Sequence, residues 1–328
     1  MSVTKVTADM IASGAIPSIA NLEYNQAILA FKVASANQLA KFSMVDQVID
    51  EYQDATGIDA GASTNESAGG ATTAKYYEGG TITTPTVSLT GTGNTSTVDG
   101  DYTVHKFIID GTYTTNTTQD VEYLVVAGGG GGGTSNDNTG GGGAGAMRTA
   151  TGFNVTTGSS PYTIQVGIGG TAGGDGEDSI FSSITADGGG KGGNYEGAGA
   201  AGGSGGGGGS TGAAGATTNA SYGNAGATSI ASDSAVGGGG GGAGGAGQVG
   251  GTSISGSTQG DGGAGLANSI TGSSVIYAAG GGGGTYGGDG TSVGGSSGVG
   301  GNGGRANSAV AGSAGTVNTG SGGGGGYS

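Results

Sequence analysis

Three times this chain runs a short apolar segment straight into polyglycine: LVVAGGGGGG at residues 124–133, ITADGGGKGG at 184–193 and VIYAAGGGGG at 275–284. A flexible linker has no reason to keep β-branched and aromatic residues in register with its glycine tracts. An ordered scaffold of closely approaching backbones does. Of 328 residues, 88 are glycine and three are proline, and the tracts are broken irregularly by Ala, Ser, Thr and Asn. That excludes a collagen repeat, which needs glycine at every third position and far more proline.

Large aliphatic residues thin out beyond Val126, so an ordinary hydrophobic core cannot fill the C-terminal two thirds. Ordering glycine backbone costs on the order of 1–2 kcal/mol per residue. An extended glycine chain has no internal hydrogen bonds, and each buried N–H and C=O must find a lateral partner. With no Cβ, neighbouring chains can approach closely enough to supply one. The expected fold is mostly β and irregular: a small N-terminal α+β attachment unit, a β-strand region, and a C-terminal polyglycine-II helix bundle with loops at its ends. The expected divisions are 1–60 for attachment or oligomerisation, 61–74 as linker, 75–126 as β domain and 127–328 as the glycine-rich, receptor-binding part.

Within residues 1–60 the pattern predicts a helix over 7–12, strands at 29–33 and 39–42, and a helix over 43–57 with capping-box-like spacing at its start. Farther on, strands are predicted at 102–109 and 121–126, with hairpin signals at Asp99-Gly100 and Asp110-Gly111. Polar inserts at 134–139, 194–201, 217–236, 252–259, 285–293 and 302–319 separate the tracts. Loops gathered on a rigid scaffold suit recognition.

The formal net charge is −15 with eight scattered basic residues, which offers no basic patch for nucleic acid. No window approaches the roughly 18 apolar residues of a membrane span, so membrane insertion is not expected. The first residues lack the apolar core of a signal peptide. With no cysteine there is no disulfide framework.

The chemical motifs are sparse. GxGxxG recurs by composition alone, without the βαβ context that gives it meaning. Residues 173–181, GGDGEDSIF, fit the calcium-binding nonapeptide, making Asp175 and Asp178 the metal candidates. That mechanism needs stacked copies, and this one stands alone, so a turn into a short strand is expected instead. His105 is the sole histidine and is read as a strand residue. No nucleophile elbow accompanies it, and the chain reads as non-enzymatic, with no cofactor. The candidate binding residues are Tyr195, Tyr222 and Tyr286 with Asn136, Asn138 and Asn224, all set in Gly/Ser/Asn-rich inserts. Tyrosine in such loops gives large contact area at low entropy cost.

The phrases YLVVAGGGGGG at 123–133, FNVTTG at 153–158, YTIQVGIGG at 162–170 and GGAGLANSITGSSVIYAAGGGGG at 262–284 resemble the glycine-rich domain of bacteriophage tail proteins. The likeness covers roughly residues 101–328. AFKVASA at 30–36 and DEYQDATGID at 50–59 are similar to the starts of fibre-like proteins of marine phages. A more distant likeness is to the adhesin of T-even long tail fibres, whose polyglycine-II bundle displays variable loops to a host receptor. The resemblance implies a virion protein, a tail fibre or adhesin, assembled in the host cytoplasm. Its implied partners are other virion proteins through residues 1–60 and a host surface glycan or outer-membrane protein. It further implies a homotrimer. A capsid-decorating head fibre and a structural filament without a receptor are the alternatives.

Overall fold

The structure, a computed structural model, describes residues 30–34, 87–100, 102–135, 138–230, 236–251, 260–286, 292–305 and 308–326. The helices expected over 7–12 and 43–57, the strand at 39–42 and the linker at 61–74 lie outside the described residues.

Two five-stranded antiparallel sheets form the apolar body. The first has the order β3(Thr95–Asp99), β4(Tyr102–Lys106), β1(Ala30–Ala34), β6(Gln119–Val126), β7(Met147–Val155). The second runs β10(Ile184–Ala186), β9(Ser179–Phe181), β8(Tyr162–Gln165), β5(Gly111–Thr115), β2(Val87–Leu89). A small hairpin, β11(Leu266–Asn268) with β12(Val275–Tyr277), stands apart. The strands expected at 29–33, 102–109 and 121–126 correspond to β1, β4 and β6. Asp99-Gly100 does turn a hairpin, with Asp99 opposite Tyr102 and Gly100 at φ +59°.

Asp110-Gly111 does not. There the chain leaves the first sheet and begins β5 of the second. The Asp110 carboxylate accepts from the Val166 N–H at 2.8 Å, and a Cβ on Gly111 would fall 2.3 Å from the Thr90 carbonyl oxygen.

β6 shows why the sheets pack. In a strand, alternate residues face opposite sides. Val121, Tyr123 and Val125 enter a core shared with Tyr113, Val155, Tyr162, Ile164, Phe181 and Ile184. Leu124 faces the other way, onto Met147, Ile270 and Tyr277. In the first core Phe153 and Phe181 have ring centroids 5.0 Å apart, and Tyr162 lies 5.9 Å from Phe181. Fully burying an aliphatic or aromatic side chain contributes roughly 1.5–3 kcal/mol, so this cluster anchors everything attached to it.

The glycine tracts correct the expectation of a polyglycine-II helix bundle. Among the described residues the longest helix is the four-residue Gly295–Gly298, and the tracts themselves carry no regular element. The mostly-β part of the expectation stands. The physical reason is where the amides point: successive amides of a tract turn to different neighbouring segments, instead of bonding along their own segment as in a helix or to a single partner as in a strand. Along residues 140–146, Gly140, Gly143 and Ala146 donate to Gly193, Gly190 and Asp187. Gly141 and Ala144 donate to Gly238 and Gly241, and Gly142 and Gly145 to Gly323 and Gly320, all within 2.8–3.0 Å. The same segment accepts from Gly133, Gly130 and Ala127, from Gly207 and Ser204, and from Gly281. The tracts are therefore irregular extended segments cross-bonded laterally.

Close approach makes glycine obligatory at the centre. A Cβ on Gly142 would stand 2.1 Å from the Gly130 carbonyl oxygen. A net hydrogen bond is worth roughly 0.5–1.5 kcal/mol, about what ordering one residue costs. The lattice thus comes close to cancelling its own entropy, and apolar burial between the two sheets tips the balance.

Candidate functional site

The cross-bonded tracts have two ends. At one, β6 runs into Ala127, Ala146 leads into β7 and Ala186 of β10 precedes Asp187. Hydrogen bonds from Ala127 to Ala146 and from Ala146 to Asp187 tie these points together at the sheets. At the far end Gly133 bonds Gly140, Gly284 bonds Thr139, Gly326 bonds Gly133 and Ser210 bonds Asn138. Tyr195 and Tyr286 belong to that far end.

One short insert holds both tyrosines. Ser135 Oγ accepts from the Tyr195 N–H at 2.8 Å, and Asn138 Oδ1 accepts from the Tyr286 N–H at 2.9 Å. Asn138 is fully buried, whereas Tyr195 and Tyr286 are 38% and 48% exposed. Asn194 Oδ1 accepts from the Thr134 N–H at 2.8 Å, binding the Tyr195 turn to the same insert from the other side. Glu196, at φ +58°, reverses the chain just after Tyr195. The result is two partly exposed aromatic rings on fixed backbone, among hydroxyl and amide groups. Such a surface can stack and donate hydrogen bonds.

The remaining candidates separate from this pair. Asn136 lies outside the described residues. Tyr222 sits at the sheet end, where its carbonyl accepts from the Met147 N–H at 3.0 Å and the Arg148 guanidinium lies 4.6 Å from its ring centroid. Asn224 spans two tracts, donating from Nδ2 to the carbonyls of Gly242 and Ala243 at 2.8 and 3.1 Å. Both are braces of the scaffold. The insert at 217–236 is correspondingly no single loop: Thr218 bonds Asp187 at the sheet end, while Ala227 is a lattice member between Gly208 and Gly239.

Asp175 and Asp178 also serve the scaffold. Their Oδ1 atoms accept from the N–H groups of Lys191 and Gly188, each at 2.8 Å, so two carboxylates complete the bonding of the tract beside them. Turn residues Ala172-Gly173 lead on into the short strand β9, as expected for this motif. Among the described residues no group of three His, Cys, Asp or Glu side chains is placed to hold a metal ion, and no helix is long and apolar enough to cross a membrane. His105 is a buried strand residue, as read from the sequence, with Nδ1 2.7 Å from Ser96 Oγ.

Sequence reasoning missed Ser135 and Asn194, whose side chains tie the Tyr195 turn to the insert at 134–139. Their signal is a small polar residue one or two positions beyond a tract, where the lattice leaves an amide or carbonyl without a backbone neighbour. It also missed an open groove of about 900 Å³ between the sandwich and residues 312–317, with exposed Ile109, Ile168 and Val317 on its walls.

A family model described as a glycine-rich domain matches residues 107–328. No curated protein and no solved structure matches the chain.

Proposed function

We propose a function for a chain that belongs to the glycine-rich domain family, a membership that spans the second sheet from β5 onward, β6, β7 and the whole cross-bonded lattice. The proposed role is a non-enzymatic bacteriophage virion protein, a tail fibre or adhesin that presents the far end of the lattice to a host receptor. The observation that carries it is the placing of Tyr195 and Tyr286 by one insert, through Ser135 and Asn138, at the end remote from the sheets. The phrase-by-phrase likeness to phage tail domains supports the virion setting.

Recognition follows from what the face offers. A half-exposed tyrosine ring lends stacking area and one hydroxyl at small entropy cost. Its backbone is held by hydrogen bonds to the scaffold, so little further order is lost on binding. A host surface glycan or an exposed outer-membrane protein loop is the receptor class such a face fits. Residues 1–60 would contact other virion proteins.

The test replaces both rings in the full chain on the assembled particle. Tyr195→Ala with Tyr286→Ala should lower adsorption at least about tenfold, as loss of aromatic anchors does, while particle yield is unchanged. Unaltered adsorption would refute the reading. Labelled antibody against the chain should mark the tail; label over the capsid would place it as a head fibre instead.

A further inference from the structure

The open groove between the sandwich and residues 312–317 coincides with a gap in the cross-bonding. Along residues 128–133 all six carbonyls accept from neighbouring segments, and four of the six N–H groups donate to them. The two left over are the N–H groups of Gly129 and Gly132. Both glycines are buried, and among the described residues neither amide has an acceptor. Residues 320–325 carry the complementary gap. Four of their six carbonyls accept, while those of Ser321 and Gly324 have no donor among the described residues. All four residues line the groove. Buried backbone groups are almost always paired, so two orphan donors beside two orphan acceptors call for an explanation.

Their spacing supplies one. The donors stand three residues apart on one wall and the acceptors three apart on the other. Three residues of a polyproline-II-like peptide advance about 9 Å and return to the same side, so one guest can meet both pairs in register. We infer that the groove is a binding site for an extended, glycine-rich segment of another protein, taken up as a further member of the lattice. The walls define its chemistry. Its carbonyls accept from Gly129 and Gly132, and its N–H groups donate to Ser321 and Gly324, which excludes proline at the donating positions. At the floor the walls touch: a Cβ on Gly129 would stand 2.2 Å from the Ser321 carbonyl oxygen, and one on Gly132 2.1 Å from that of Gly324. A guest residue facing that floor must be glycine. The exposed Ile109, Ile168 and Val317 beside it suit a small apolar side chain on the remaining positions. The charge of −15 selects against an acidic guest. Main-chain bonds would give affinity and the apolar walls preference, as when a peptide adds to a sheet edge.

The test uses the full-length chain and a fluorescein-labelled peptide of Gly-Gly-Ala repeats with a lysine at each end, followed by fluorescence polarisation. Binding should be saturable. The same peptide with every glycine replaced by N-methylglycine keeps its carbonyls and charge but loses those N–H donors, and should bind at least about tenfold more weakly. Gly169 lines the groove, and a Cβ there meets only the Gly129 carbonyl oxygen, at 3.6 Å. Gly169→Leu should therefore narrow the groove without moving backbone and weaken binding by a similar factor. Its circular dichroism should match the parent's; if it does not, Val317→Asp, at an 80% exposed position, gives the same reading. No saturable binding to the parent would overturn the site. Equal binding of the two peptides would overturn the role of the orphan carbonyls, and undiminished binding to a folded groove variant would place the peptide elsewhere.

Discussion

The backbone N–H of Tyr286 donates to Oδ1 of Asn138 at 2.9 Å, joining two points 148 residues apart. Asn138 is fully buried and Tyr286 is half exposed, so an interior amide fixes the backbone of a surface ring. Asn138→Ala removes the acceptor and leaves a backbone donor without it. The expected cost is about 1–2 kcal/mol of stability, read as a lower urea midpoint. On the proposed role, adsorption should fall with Tyr286 intact. Adsorption equal to the parent would sever Asn138 from the face.

Two glycines of opposite surroundings test the lattice. Gly142→Ala sets a methyl 2.1 Å from the Gly130 carbonyl oxygen, where backbone must move. Gly158→Ala meets nothing within 4 Å. Both substitutions remove similar entropy from the unfolded chain, worth about 0.4–1 kcal/mol in favour of folding. The first should nonetheless destabilise by about 3 kcal/mol or more, as overpacking of a rigid interior does. The second should be neutral or slightly stabilising. Equal denaturation midpoints for the two variants would show that the tracts are loosely packed.

How far the sequence reveals this arrangement depends on which forces it encodes. β4, β6 and β12 are legible because β-branched and aromatic residues concentrate there. β7 is not: MRTATGFNV has no clean alternation, and it is a strand because β6 pairs with it. Asp110-Gly111 signals a bend, but a bend does not say to which sheet the next strand belongs. Glycine content foretells close approach without naming partners, since identical residues carry no address. For the same reason Tyr222 and Asn224 look like loop residues in sequence and are braces in the fold, while the backbones of Tyr195 and Tyr286 are tied to one insert through Ser135 and Asn138.

Asp175 and Asp178 should behave as hydrogen-bond acceptors rather than as metal ligands. Replacing both with Ala removes two acceptors for tract amides, at about 1 kcal/mol each. Replacing both with Asn keeps an oxygen in each position and should recover most of that loss. Thermal unfolding of the parent should be indifferent to millimolar calcium or to a chelator. A calcium-dependent rise of several degrees in Tm would restore the metal reading of residues 173–181.

His105 gives the fold an acid sensitivity with a defined window. It is 3% exposed, and Nε2 has no hydrogen-bond partner among the described residues. Burial pulls its pKa from the ordinary 6.5 down to about 4. The native protein therefore holds the ring neutral where the unfolded chain has already bound a proton. Above pH 6.5 both states are neutral and stability does not change on this account. As pH falls from 6.5 to about 4 the unfolded state is increasingly favoured, by about 3 kcal/mol in all, and below that the difference stays constant. His105→Gln removes this titration, whatever it costs in packing. Urea midpoints between pH 8 and pH 4 should fall more steeply for the parent than for the variant, with the divergence confined to the interval below pH 6.5. Parallel pH profiles would mean that the ring is protonated in the folded state as readily as in the unfolded one.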